Sequence, residues 1–243
     1  MEFRTDDGRI VPAVTAEEMR AVDRVAVEDV GLELLQMMEN AGRALASHVF
    51  EARSAPDAPV EILAGNGGNG GGGMVCARHL ANNGVPITVV LDRDPDTLSG
   101  AAAHQHRILD EMAVPVRNGA EERGDPAESG VLVDALIGYG LSGPVRGTAR
   151  ELIERTARSP APVVSLDVPS GVDASDGHKE GPPVSPDRTV TLALPKTGLR
   201  DVEGSLFLAD IGVPRTVYDR MDIDYRPPFD GRPSVELHRN PGG

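Results

Sequence analysis

Three short segments hold the residue types from which a ligand site could be built. The first is Gly65-Asn66-Gly67-Gly68-Asn69-Gly70-Gly71-Gly72-Gly73. Glycine admits positive φ and removes the Cβ that would keep a ligand away from the backbone. A phosphate or sugar could then lie against bare N–H groups at a helix start, and the asparagines offer amide oxygens to a cation. The second is Asp134-Ala135-Leu136-Ile137-Gly138-Tyr139-Gly140-Leu141-Ser142-Gly143-Pro144. An acid inside an apolar run is costly unless it is hydrogen-bonded or bound to a cation, and both readings of Asp134 stand at this point. The third is Ser165-Leu166-Asp167-Val168-Pro169-Ser170-Gly171. Pro169 and Gly171 enforce a sharp turn, which presents Asp167 and Ser170 to one crevice. The alternative is an Asx-turn that only caps a strand exit.

The first six residues of the glycine run also satisfy G-x-G-x-x-G, and Asp92 follows Gly70 by 22 residues. A dinucleotide fold keeps its ribose-binding acid there. Taken alone, that pattern points to a nicotinamide-dependent oxidoreductase. It is weakly specific, because seven glycines in nine positions satisfy many glycine patterns.

These segments need elements to position them. Thr15 and Glu18 form a capping box, and Met19, Val22, Ala26, Val27 and Val30 follow at helical spacing until Gly31 breaks it. A second helix is predicted from about Leu32 to Ala52. Apolar runs at Val60–Ala64, Ile87–Leu91, Val114–Arg117, Val131–Ile137, Pro162–Leu166, Arg188–Leu194 and Ser205–Leu208 read as strands, and 74–82, 98–112 and 147–158 as helices. Residues 1–14 read as an irregular lead-in. The alternation predicts an α/β fold of three αβα layers, Rossmann-like, on a doubly wound, mostly parallel sheet. Ligands in such sheets bind beyond the carboxyl ends of the strands at the topological switch point, so the turns after Ala64, Ile137 and Leu166 are the informative ones. One domain is expected over residues 1–221. The Pro-, Gly- and Arg-rich residues 222–243 read as an extended or disordered tail.

The net charge is −14 and only two lysines occur, Lys179 and Lys196. Such a surface repels nucleic-acid phosphates and anionic lipid. The apolar runs are too short to span a membrane, and the acidic first thirty residues lack the apolar core of a signal peptide. The single cysteine, Cys76, cannot form an internal disulfide, so a cytoplasmic location is expected. Cys76 reads as a core residue, His79 as a surface or partly packed one, and Lys196 as an exposed turn lysine.

The order Met38-Glu39-Asn40-Ala41-Gly42, the glycine–asparagine run, Val133-Asp134-Ala135-Leu136-Ile137-Gly138, Asp167-Val168-Pro169-Ser170-Gly171, Leu194-Pro195-Lys196-Thr197-Gly198-Leu199 and Ala209-Asp210-Ile211-Gly212-Val213-Pro214 resembles the YjeF N-terminal family over roughly residues 15–215. That resemblance implies NAD(P)H-hydrate epimerase activity, the interconversion of R and S hydrates of NADH and NADPH. It also implies one potassium ion and a separate dehydratase that consumes the S form. Carried over by position, it assigns Gly68, Asn69, Gly70, Gly71, Gly72, Gly138, Tyr139, Gly140, Leu141, Ser142, Gly143, Pro144 and Asp167 to the substrate NADHX or NADPHX. Asn69, Asp134 and Ser170 go to the ion, and Asp167 to proton transfer. Four positions depart from the family: Gly68 stands for Asn, Gly72 for Asp, Tyr139 for Thr, and Gly143 stands where Arg is frequent. Those departures keep two alternatives open: a ligand-binding or scaffold protein, as among family members such as the apolipoprotein A-I-binding protein, and the oxidoreductase. Family members often form dimers, and the first two helices could supply an interface.

Overall fold

A computed structural model describes residues 2–121 and 129–239. The chain opens with two strands, β1 (Glu2–Thr5) and β2 (Ile10–Pro12), then helix α1 (Ala16–Arg24) and a π-helical turn, Val25–Asp29. Helix α2 (Leu34–Ala52) follows. Strands and helices then alternate: β3 (Val60–Ala64), α3 (Gly68–Asn82), β4 (Ile87–Leu91), α4 (Gly100–Glu111), β5 (Val116–Asn118), β6 (Val131–Ala135), α5 (Gly147–Thr156) and β7 (Val163–Leu166). The last elements are β8 (Arg188–Leu192), β9 (Ser205–Ala209), α6 (Arg215–Arg220) and β10 (Ser234–Arg239).

All ten strands form one sheet in the order β2-β1-β10-β9-β8-β7-β6-β3-β4-β5. The seven from β9 to β5 are parallel, and β10, β1 and β2 extend that edge antiparallel. The period-2 alternation of strand side chains sorts the core into layers. Ile62, Val89 and Val133 pack toward α2, α3 and α4, while Leu63, Val90 and Leu132 pack toward α5. The chain leaves β3 toward β4 and later returns to β6 on β3's other side. The switch point therefore lies between β3 and β6, where the loops after Ala64 and Ala135 part.

Two terminal expectations are corrected. Residues 1–14 hold β1 and β2 rather than an irregular lead-in. The segment expected as an extended or disordered tail supplies β10, which is inserted between β9 and β1, with Val235 and Leu237 buried. Its alternating Val235 and Leu237 were hidden among Pro, Gly and Arg. Residues 240–243 of that segment lie outside the described residues. The glycine run is also shorter as a loop than expected, because α3 begins at Gly68 rather than near Met74.

Two family-type motifs are explained by packing. A Cβ on Gly42 would sit 2.4 Å from Val75 Cβ and 2.7 Å from the Gly72 carbonyl oxygen, so this glycine lets α2 lie directly on α3. Asn40 Nδ2 donates to the Ile211 carbonyl at 3.2 Å and ties α2 to the segment after β9. Cys76 is fully buried in this layer, as expected, and burial pushes its thiol pKa up. His79 is partly exposed, also as expected, with Nε2 2.9 Å from Glu39.

His48 supplies a pH-dependent element of stability. It is buried on α2, with its ring 4.5 Å from that of Phe207. Nδ1 accepts from Arg188 at 3.1 Å, and Nε2 lies 2.9 Å from Ser234 Oγ. Burial, then the Arg188 charge, lower its pKa from the ordinary 6.5 to about 4. Between those values the unfolded chain takes up a proton that the folded chain refuses. Stability from this residue is therefore complete above about pH 6.5 and declines as pH falls toward 4, by on the order of 3 kcal/mol. Urea unfolding at several pH values should show the parent losing stability across that window more steeply than His48→Gln. Parallel curves would remove His48 from the account.

Candidate active site

A cavity of about 650 Å³ opens beyond the carboxyl ends of the central strands, lined among others by Asp23, Asn69, Tyr139, Asp167 and Lys196. Its floor is made by two matching kinks. Asp167 has φ +66° and Ala193 φ +60°, left-handed values that non-glycine residues rarely adopt. In each, the next N–H turns back onto the residue before: Val168 donates to the Leu166 carbonyl at 2.9 Å, and Leu194 to that of Leu192 at 2.7 Å. These γ-type turns end the neighbouring parallel strands β7 and β8.

The result is a buried ion pair. Lys196 Nζ donates to Asp167 Oδ1 and, at 2.9 Å, to the Leu192 carbonyl. Lys196 is 1% exposed and Asp167 3%. This corrects the expectation that Lys196 is an exposed turn lysine. The Pro-Lys-Thr-Gly turn folds inward because its backbone pairs with the N-terminal segment: Val14 donates to Pro195 and Thr197 to Val14, at 3.0 and 2.9 Å. Asp167 also accepts from the N–H of Tyr139 at 3.1 Å through Oδ2 and from that of Leu192 at 3.3 Å through Oδ1.

Asn69 joins the same spot. Its Nδ2 donates to the Leu166 carbonyl at 3.1 Å. A Cβ on Gly138 would lie 2.9 Å from Asn69 Oδ1 and 3.0 Å from Asp167 Oδ2. Gly138 is thus a point where three strand exits meet, and only a residue without a side chain fits between the two oxygens.

Asp134 and Ser170 sit beneath this floor, both fully buried. Ser170 Oγ donates to Asp134 Oδ1 at 2.6 Å, while Ser165 Oγ and the Ser170 N–H donate to Oδ2 at 2.9 and 2.8 Å. Burial raises the carboxyl's pKa, and these hydrogen bonds pull it back. The hydrogen-bonded reading of Asp134 is therefore satisfied. The donors that share its carboxylate are all uncharged, so no cation among the described residues bonds to it. Ser170 Oγ also lies 3.2 Å from the Ile137 carbonyl oxygen, and carboxylate, hydroxyl and carbonyl oxygens are the donor types that suit a hard cation.

The glycine run divides. Gly67, Gly68 and Asn69 line the cavity, as do Gly138, Tyr139 and Gly140. Gly70, Gly71 and Gly72 are buried against Gly65, Met38 and Leu166, and are not part of the lining. A Cβ at position 72 would lie 2.8 Å from Leu166 Cδ2, so a side chain there would have to displace that residue. Leu141, Gly143 and Pro144 line a separate, small groove with Asp173 and His178, and Ser142 borders neither.

Sequence reasoning missed Asp23 and Arg93 as contributors, while Asp92, singled out there only for the oxidoreductase reading, also lines this cavity. Asp23 on α1 accepts a hydrogen bond from the Tyr139 hydroxyl. Asp92 and Arg93 reach the cavity from the end of β4, where the Arg93 guanidinium holds both oxygens of Asp92 at 2.8 and 3.1 Å. The available signal for Asp23 was an acid four residues after Met19 and three before Ala26, both of which are buried.

Comparison with known proteins agrees with this fold. The family described as YjeF-related protein N-terminus matches residues 34–198. A protein of Dehalogenimonas lykanthroporepellens named NAD(P)H-hydrate epimerase is 42% identical over 238 residues, covering 94% of each chain. One of the same name from Weissella koreensis is 37% identical, over 83% of this chain and 91% of its own. The Bifunctional NAD(P)H-hydrate repair enzyme Nnr of Salinibacter ruber is 40% identical over 86% of this chain, which spans 42% of that longer protein. The crystal structure of yeast YNL200c shares the fold, with a TM-score of 0.82 over 93% of this chain at 24% identity. The sheet order, the three strand-exit loops and these matches together place the chain in the YjeF N-terminal family.

Proposed function

We infer that the protein is an NAD(P)H-hydrate epimerase, an isomerase that interconverts the R and S hydrates of the reduced nicotinamide cofactors. The observation that carries this reading is the convergence of Asn69, Gly138, Asp167 and Lys196 in one cavity, in a chain whose full-length relatives bear that activity in their names. Gly68, Asn69, Gly138, Tyr139, Gly140 and Asp167 are the wall against which the nucleotide would lie. The first amides of α3 have no helical acceptor and suit an anionic group.

Epimerisation at a carbon bearing both hydroxyl and ring nitrogen requires a proton to be delivered and recovered. Asp167 is the assigned group. Its carboxylate is held in place by the Tyr139 and Leu192 amides and by Lys196. Lys196 fixes the orientation of Asp167 and supplies the positive charge that an anionic substrate would meet at the cavity floor. Asn69, Asp134 and Ser170 would hold a potassium ion, whose charge would offset that of Asp134 and brace the three loops. A functional link to a separate dehydratase acting on the S hydrate is supported by relatives that are named bifunctional NAD(P)H-hydrate repair enzymes. A homodimer, if formed, has apolar surface available at Val27, Val30, Leu34 and Leu35.

The test combines the purified chain, R-hydrate and an S-specific dehydratase, with reduced-cofactor recovery followed at 340 nm. Acceleration over spontaneous epimerisation is expected. Its absence would leave the ligand-binding alternative. Thermal unfolding in potassium chloride against choline chloride is expected to show an upward shift in potassium, which Asp134→Asn abolishes. Equal midpoints in both salts would remove the ion.

A further inference from the structure

Besides Asp167 and the Arg93-paired Asp92, the cavity contains a third carboxyl group, which the family resemblance does not assign and which lies outside the family match at 34–198. Asp23 reaches the cavity from α1. The helix is anchored beside the site twice: the Ala16 N–H donates to Ser175 Oγ at 3.0 Å, and Val14 pairs with Pro195 and Thr197 around Lys196. A π-helical turn begins two residues after Asp23, a feature frequent at functional sites.

Tyr139 stands between Asp23 and Asp167. Its hydroxyl donates to Asp23 Oδ2, and its backbone N–H donates to Asp167 Oδ2. Its ring carries Lys196 Nζ 5.6 Å from the centroid and the Arg20 guanidinium 5.9 Å away. Tyr139 thereby holds the two carboxyl groups apart by the length of its side chain, one on the sheet floor and one on the helix wall. Asp167 is matched with a buried ammonium, whereas the only hydrogen bond to Asp23 among the described residues comes from a neutral hydroxyl. Oδ1 of Asp23 takes no part in that bond.

We propose that Asp23 is a second proton-transfer residue of this site, acting on the reacting carbon from the wall opposite Asp167. The proposal rests on the epimerase reading. Inversion requires the hydroxyl to leave one face and return to the other, and a single fixed carboxyl serves both faces poorly. In the forward step the protonated carboxyl of Asp23 gives its proton to the hydroxyl oxygen. The C–O bond breaks, water leaves, and the ring-nitrogen lone pair forms a C=N⁺ bond. A second water then adds to the other face of that carbon. Its oxygen forms the new C–O bond, the C=N⁺ electron pair returns to nitrogen, and the released proton goes to Asp167. Exchange with solvent restores the starting protonation, and the same groups exchange roles in the reverse direction. Burial supports the acid role, since it raises the Asp23 carboxyl above the ordinary carboxylate value against the opposing pull of Tyr139 and Lys196. Two carboxyls in contrasting environments commonly divide the acid and base roles.

The experiment follows R-hydrate inversion in ¹⁸O-labelled water with the parent, Asp23→Asn, Asp23→Glu and Tyr139→Phe, alongside thermal unfolding. The parent should incorporate one solvent oxygen per inversion. Asp23→Asn should lower kcat by about 100-fold with KM within threefold, while Asp23→Glu recovers part of the rate. Tyr139→Phe should lower kcat by about tenfold, since it removes a hydrogen bond to the carboxyl. If Asp23→Asn fails to fold, the Tyr139→Phe rate decides. Asp23→Asn turnover within threefold of the parent, a loss confined to KM, or inversion that retains the original oxygen would each overturn the proposal. An inactive parent would instead sink the epimerase reading.

Discussion

Asp167→Asn is expected to reduce epimerase turnover by roughly 10²- to 10⁴-fold, the range for losing one general acid–base group. It should also destabilise the protein. Asn preserves the shape, but its single carbonyl oxygen can accept from only one of the Tyr139 and Leu192 amides, which donate to different oxygens of Asp167, and it leaves the Lys196 ammonium, 1% exposed, with no counter-charge. Breaking one side of a buried pair typically costs about 3–5 kcal/mol, because the remaining charge is desolvated and unmatched. Lys196→Met alone should cost a similar amount by stranding the carboxylate. The double variant should be more stable than the sum of the two losses, since it strands neither charge. Urea unfolding of the four proteins measures the coupling, and the 340 nm assay on folded samples measures turnover. Strict additivity would show that the pair does not act as a unit. Near-parental turnover in Asp167→Asn would remove it from proton transfer.

Gly70→Ala should be the most damaging glycine-to-alanine change among the described residues. A Cβ there would lie 1.7 Å from the Gly65 carbonyl oxygen and 2.7 Å from its nitrogen. Both are backbone atoms at the start of the same loop, so the loop must move away from β3. The expected cost exceeds the roughly 1–3 kcal/mol of ordinary overpacking, and it should appear as insoluble protein or a sharply lowered Tm. Gly67→Ala and Gly68→Ala are the contrast. Neither Cβ would meet an atom within 4 Å, and neither residue has positive φ. Gly68 is helical, so alanine there should be neutral or stabilise by about 0.4–1 kcal/mol. Gly72→Asp, which restores the family's usual residue, should destabilise without raising turnover, because its Cβ would lie 2.8 Å from Leu166 Cδ2 in the core. A Gly70→Ala protein as stable as the parent would refute this division of the loop.

The loss of the family acid at position 72 therefore has a different meaning from the one the sequence suggested. Read along the chain, Gly72 looked like a missing ligand contact. In the fold it faces Leu166, and the cavity is lined instead by Gly67, Gly68 and Asn69. The run's glycines serve two ends: the first permit access to the start of α3, and Gly70 to Gly73 permit the close approach of α3 to Gly65, Met38, Leu166 and Ala135.

By itself the sequence determined the parallel core of the sheet, the three strand exits that carry the site, and the central place of Asp167. These depend on local signals: alternation of Val, Ile and Leu, helical spacing, and turns that only Gly and Pro allow. Four things were decided by the tertiary structure. The inward turn of Lys196, the Tyr139–Asp23 bond across 116 residues, the closure of Asp134 by Ser165 and Ser170, and the insertion of β10 beside β9 all join residues far apart in the chain. Whether a polar side chain is solvated or buried depends on which partner the fold brings to it. A lysine in a Pro-Lys-Thr-Gly turn has the same local propensity either way, and only the arrival of a carboxylate and a carbonyl oxygen makes its burial affordable in free energy.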